Sequence, residues 1–149
     1  MALTETLAAD MKTAMLSGEK LRLETLRSLR ALVLEFEKSG VGRDLTPDDE
    51  LKILSTAAKK RRDAIEAYSA AGRTEAAEKE TAELAIIQGY LPEQMSEAEI
   101  RLELQKVIAT TGASSASDVG KVMGAAMKVL KGKADGTAIQ RIAKELLGG

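Results

Sequence analysis

The sequence contains no cysteine, no histidine and no tryptophan. Without cysteine there is no disulfide framework, no thiolate nucleophile and no iron–sulfur site. Without histidine there is no imidazole base and no Ser-His-Asp triad, and a zinc site would need carboxylates alone. Aromatics are limited to Phe36, Tyr68 and Tyr90. Few aromatic and β-branched residues argue against sheet. No apolar run approaches the roughly 20 residues of a membrane span, so no membrane partner is expected. The opening Met1-Ala2-Leu3-Thr4-Glu5 lacks the basic start and apolar run of a signal peptide, and the chain is expected to be cytoplasmic. Asp, Glu, Lys, Ser, Thr and Tyr remain for chemistry. Ser114 and Ser115 have no visible base to activate them. No catalytic set, metal-ligand group or cofactor site emerges.

What is present is helix-forming. The 149 residues are rich in Ala, Leu, Glu and Lys, with 44% apolar and 30% charged positions and a formal net charge of −1. That composition predicts an all-α protein with material for a core. Helix ends can be read directly. A first helix is predicted over about 4–16, stopping at Ser17-Gly18, and a second over about 19–39, stopped by Gly40. Thr46-Pro47 opens a third as N-cap and first helical residue, with Asp48, Asp49 and Glu50 at its positive dipole end. It ends near Ala71-Gly72, and a fourth covers about 74–88. Tyr90-Leu91-Pro92 breaks the pattern and predicts a boundary between an N-terminal helical part, 1–92, and a C-terminal part, 93–149. There, Ser96-Glu97-Ala98-Glu99 reads as a capping box in which Glu99 reaches back to the N-cap amide. Three helices follow, ending at Gly112, Leu130 and Leu147.

The third and fourth helices carry matching apolar seams, each with one charged interruption. If they form an antiparallel hairpin turning at Gly72, residues facing each other have numbers summing to about 141. Ala58 then faces Leu84, Leu54 faces Ile87, and Arg61 faces Glu80. The expectation is a structural ion pair, Arg61–Glu80, that fixes the hairpin's register. The run Lys59-Lys60-Arg61-Arg62 is spread around a helix axis and cannot form one patch.

Two C-terminal segments invite a functional reading beside a structural one. Ser117-Asp118-Val119-Gly120-Lys121-Val122-Met123-Gly124 can present helix-start amides and Lys121 to a phosphate, with glycines admitting a sugar–phosphate backbone. Alternatively, Ser117 or Asp118 caps the helix and the glycines admit a neighbouring helix. Lys131-Gly132-Lys133-Ala134-Asp135-Gly136 is not a Walker loop. It is either a mobile basic loop touching phosphates or a solvated connector. Residues 112–149 hold six cations against three anions, a net +3, while 1–111 carry −4. Aromatic platforms are missing there, so any RNA contact would be to backbone and shape.

Leu26-Arg27, Lys59-x-Arg61, Ala71-Gly72-Arg73, Glu80-x-x-Glu83-Leu84, Tyr90-Leu91-Pro92, Ser96-x-x-Glu99, Asp118-x-Gly120-Lys121-Val122-Met123 and Lys131-Gly132-x-Ala134-Asp135-Gly136 occur in an order that resembles the YqeY family over essentially the whole chain. Val119 stands where that family usually has Met, and the stretch after Arg73 is richer in alanine. The resemblance implies an N-terminal helical hairpin region followed by a small C-terminal three-helix domain. It also implies similarity to the tail of GatB, a subunit of glutamine-dependent aminoacyl-tRNA amidotransferase, where the tail helps hold tRNA and chemistry resides elsewhere. The implied function is a free-standing accessory module that binds tRNA or other structured RNA and has no active site of its own. Its implied contacts are Lys121, Lys128, Lys131 and Lys133. The alternatives are a component of glutamine-dependent amide transfer, a carbon–nitrogen ligase activity requiring partner chains, and a protein-interaction adaptor. A catalytic label would come from kinship alone.

Overall fold

The computed structural model describes residues 2–148. Among them the chain is all-α, with helices α1 (Leu3–Ser17), α2 (Lys20–Lys38), α3 (Pro47–Ala70), α4 (Thr74–Gln88), α5 (Glu97–Thr111), α6 (Val119–Leu130) and α7 (Gly136–Leu146). A 3₁₀ turn, Ala116–Asp118, runs directly into α6. The chain divides into two compact units at Leu91/Pro92.

In the first unit, α1–α4 enclose Leu7, Leu26, Leu29, Val33, Leu54, Ala58 and Ile87, with Leu84 packed against them. The α3–α4 hairpin is its most extensive helix pair. The start of α3 carries a full reciprocal capping box. Asp49 N–H donates to Thr46 Oγ1 at 3.2 Å, and Thr46 N–H donates to the Asp49 carboxylate at 2.9 Å. Arg43 also pairs with Asp49. Its guanidinium, the Thr46 amide and the Thr46 hydroxyl hold the Asp49 carboxyl well below the usual carboxylate range.

In the second unit, α5, α6 and α7 surround Ile100, Leu104, Val122, Ala126, Leu130, Ile139, Ile142 and Ala143. Ser96 caps α5 by accepting from Glu99 N–H at 3.2 Å. The Glu99 carboxylate accepts from the Ser96 hydroxyl at 3.0 Å, so it meets the capping side chain where the sequence suggested the N-cap amide. At the far end Gly112 closes α5 with φ 70°, a left-handed conformation that costs glycine little.

Candidate functional site

The four lysines singled out from the sequence all lie on one stretch of the C-terminal unit. Between Asp118 and Asp135 there are four lysines and no acid. Val122, Ala126 and Leu130 face the core, so the opposite flank of α6 is turned outward. That flank shows Gly120, Lys121, Gly124 and Lys128, all exposed. Lys121 and Lys128 are seven residues apart, about two turns and roughly 10 Å along the axis. Lys131 and Lys133 are exposed in the loop that follows, with buried Gly132 between them.

The arginines of the unit pair with acids on α5 and α7. Arg101 on α5 pairs with Glu145 on α7 at 2.9 Å, and Arg141 on α7 pairs with both Glu145, at 3.2 Å, and Glu97 on α5. The alternating chain Glu97–Arg141–Glu145–Arg101 therefore ties α5 to α7. Hydrogen bonds from Arg101 and then Arg141 hold the Glu145 carboxyl below its ordinary range. Lys106 pairs with Glu103 within α5. Arginine–carboxylate pairs thus tie α5 to α7, while α6 and its loop carry four exposed lysines bordered by Asp118 and Asp135.

The amino end of α6 differs from its sequence reading. Asp118 does not cap α6. Its carboxylate turns back and accepts from the amides of Ser114, at 2.9 Å, and Ser115, at 3.3 Å. Those two bonds, with a smaller contribution from Lys121, hold the Asp118 carboxyl below its usual range. The helix start therefore already carries an anion beside Lys121, and the cationic surface is the flank of α6, not its amino end. The reading in which Gly120 and Gly124 admit a neighbouring helix is also corrected. A Cβ built on either would meet nothing within 4 Å. Neither has positive φ, so neither is required by the backbone.

The loop is not a free tether. Lys133 N–H donates to Leu130 C=O and Lys133 C=O accepts from Met95 N–H, both at 2.9 Å. The Gln94 side-chain amide donates to Gly132 C=O at 2.8 Å. Gln94 went unnoticed in the sequence. Its only signal there is an amide side chain in the short non-helical stretch between Pro92 and the Ser96 cap.

The second sequence-derived site lies in the first unit. Arg61 Nε is 3.6 Å from Glu80 and 2.9 Å from Glu83, and Arg61 also donates to Ser28 Oγ on α2 at 3.2 Å. The seam arithmetic brings Arg61 to Glu80, while the shorter bond goes to Glu83, one turn further along α4. All three charged side chains are largely buried, with 13–22% exposure. Burial, and then the neighbouring Glu83 charge, raise the Glu80 carboxyl above its ordinary value, partly offset by Arg61 and Lys79. In the same unit Tyr90 donates to Asp10, and burial followed by that carboxylate pushes the phenol up to about 12. Both clusters tie helices together. Among the described residues no group of three or more carboxylates is placed to hold a metal ion, and no helix is long and apolar enough to cross a membrane.

Comparison with known proteins agrees with the order of motifs. The family model described as Yqey-like protein matches residues 4–147. The chain is similar to a protein of Pyrenophora tritici-repentis named altered inheritance of mitochondria protein 41, mitochondrial. Identity is 32% over 146 residues, covering 95% of this chain and 79% of the relative. It is also similar to the protein of the same name from Lachancea thermotolerans, 31% identical over 104 residues, covering 68% of this chain and 56% of that relative. These names overturn the cytoplasmic expectation, since both relatives are called mitochondrial. That expectation rested on the character of five residues. The composition of a helical domain is alike in every aqueous compartment and carries no address. With a family model spanning nearly its whole length, the chain belongs to the YqeY-like family.

Proposed function

We propose that the chain is an RNA-binding accessory module, with residues 93–149 acting as a GatB-tail-like domain that grips the sugar–phosphate backbone of tRNA or similarly structured RNA. The observation that carries this is the charge sorting of the C-terminal unit. Arginines and acids neutralise one another on α5 and α7, while Lys121, Lys128, Lys131 and Lys133 project from α6 and its loop. A second feature supports it. Glycine inside a helix costs about 1 kcal/mol relative to alanine, and neither Gly120 nor Gly124 gains packing in return. Two bare positions beside the lysines suit the close approach of a ligand backbone. No aromatic residue lies in this unit, so contacts fall on phosphate and ribose, and binding depends steeply on salt.

The test is tRNA binding by the whole chain and by a Lys121→Ala, Lys131→Ala, Lys133→Ala variant. At low salt the variant is expected to bind on the order of tenfold to a hundredfold more weakly, with a salt slope smaller by about three. Unchanged binding would place the site elsewhere. The relatives' names make mitochondrial tRNA one of the pools to include.

The glycines give an independent check. Gly120→Ala and Gly124→Ala are each expected to stabilise α6 by about 0.5–1 kcal/mol, because the added methyl meets open space. Each is also expected to weaken tRNA binding severalfold, as the methyl lifts the ligand from the helix. A gain in thermal stability with no loss of binding would leave the glycines without a part in the interface.

A further inference from the structure

The segment joining the first unit to α5 contains one polar side chain with an unusually specific environment. Gln94 Nε2 donates to two carbonyls, Pro92 C=O and Gly132 C=O, each at 2.8 Å. Both partners are acceptors only, so the bonds fix which way the amide faces. They also exclude Glu as a substitute, since a carboxylate would oppose both carbonyls. One residue later Met95 N–H donates to Lys133 C=O at 2.9 Å. Residues 94 and 95 therefore grip consecutive peptides of the loop, Gly132–Lys133 and Lys133–Ala134, on both sides of the Lys133 Cα. Gly132 itself is buried at φ 76°, a conformation an L side chain resists. With its peptide sunk and bonded, the chain must emerge on either side, and Lys131 and Lys133 are both exposed.

We infer that Gln94 is a positioning residue for the cationic loop: it anchors the buried Gly132 peptide so that Lys131 and Lys133 are held on the same surface as Lys121 and Lys128. This rests on the RNA-backbone reading above. An unanchored loop keeps its two charges but spends ordering entropy each time it meets a phosphate. The uncharged Gln94 thereby controls the contribution of two lysines it does not replace.

The experiment compares the parent, Gln94→Leu, Lys131→Ala/Lys133→Ala and the combined triple variant. For each, tRNA binding is measured against salt and hydrogen exchange is measured at the Met95 and Lys133 amides. Gln94→Leu removes both donors without changing charge. It is expected to speed exchange at those amides, weaken tRNA binding about tenfold in ~0.1 M salt and lower the salt slope by about one to two. Adding it to the double lysine variant is expected to cause little further loss, since the lysines it positions are gone. A purely structural clamp would lower thermal stability and speed exchange, yet leave the slope unchanged and the losses additive; that result overturns the inference. A parent that fails to bind tRNA overturns the RNA reading and this inference with it, whereas a binding parent matched by Gln94→Leu overturns the inference alone. Should Gln94→Leu unfold the unit, Gln94→Asn keeps the amide with a shorter reach, and an intermediate slope is expected. An unchanged Asn slope with faster exchange overturns the inference.

Discussion

Ile142→Ala is expected to cost about 3 kcal/mol and to unfold residues 92–148 at temperatures where the first unit stays folded. Ile142 is fully buried on α7, beside Ile139 and Ala143, in a core assembled from only three helices. Removing three carbons there forfeits burial and leaves a void that α5 and α6 cannot close without disturbing their own contacts. A unit below about 70 residues seldom has more than 3–5 kcal/mol in hand, so this loss is nearly its whole margin. Leu26, Leu29, Val33 and Leu54 lie in a separate core. Hydrogen exchange should therefore show lost protection along α5–α7 with protection retained in α2 and α3. Uniform loss along the chain would show that the two cores unfold as one.

Arg61→Ala is the second large expected effect, about 2 kcal/mol against the first unit, or a fall in melting temperature of about 8–16 °C. The guanidinium bonds Glu83, lies 3.6 Å from Glu80 and reaches Ser28 on α2, and its removal leaves two largely buried carboxylates facing each other. Lys at this position would supply a charge but not the fork that meets Glu83 and Ser28 together. Glu80→Gln should behave oppositely, with neutral or slightly raised stability at pH 7, because burial and Glu83 already disfavour the Glu80 charge. The pH dependence follows in sign. A carboxyl raised in the folded state contributes stability fully present below its unfolded value, near 4.3, and lost as pH rises through the folded one. The Arg61→Ala deficit should thus shrink as pH falls from 7 toward 4.5, because protonation relieves the repulsion. Urea unfolding of the two variants across that range checks both expectations. Equal losses for Arg61→Ala and Glu80→Gln would mean that Glu80, not Glu83, holds the hairpin.

Much of the fold was legible locally because helix ends are written in local chemistry. Thr46-Pro47 fixes the start of α3, and Gly112 the end of α5, through dihedral and hydrogen-bond requirements that involve only neighbouring residues. The hairpin seam was legible because two long amphipathic helices joined by a short turn leave few registers. What escaped were side-chain directions set by residues far away in sequence. Nothing local says that Arg61 reaches Glu83 more closely than Glu80. Gly120 and Gly124 read more readily as packing glycines, and only the open space around them speaks against that reading. The lysines themselves were visible, but their value depends on where the acids go. The sorting of Glu97, Arg101, Arg141 and Glu145 onto the α5–α7 side is a property of the assembled unit. Gln94 was hidden for the same reason, since its partner Gly132 lies 38 residues away.

The most direct test of an RNA-backbone module is crosslinking of the whole chain in cells, with RNA and protein partners recovered together and the crosslinked residues mapped. Crosslinks to tRNA concentrated on Lys121, Lys128, Lys131 and Lys133 are the expected result. Crosslinks to a protein that persist after nuclease treatment, with no RNA on the α6 flank, would contradict it and point to an adaptor instead.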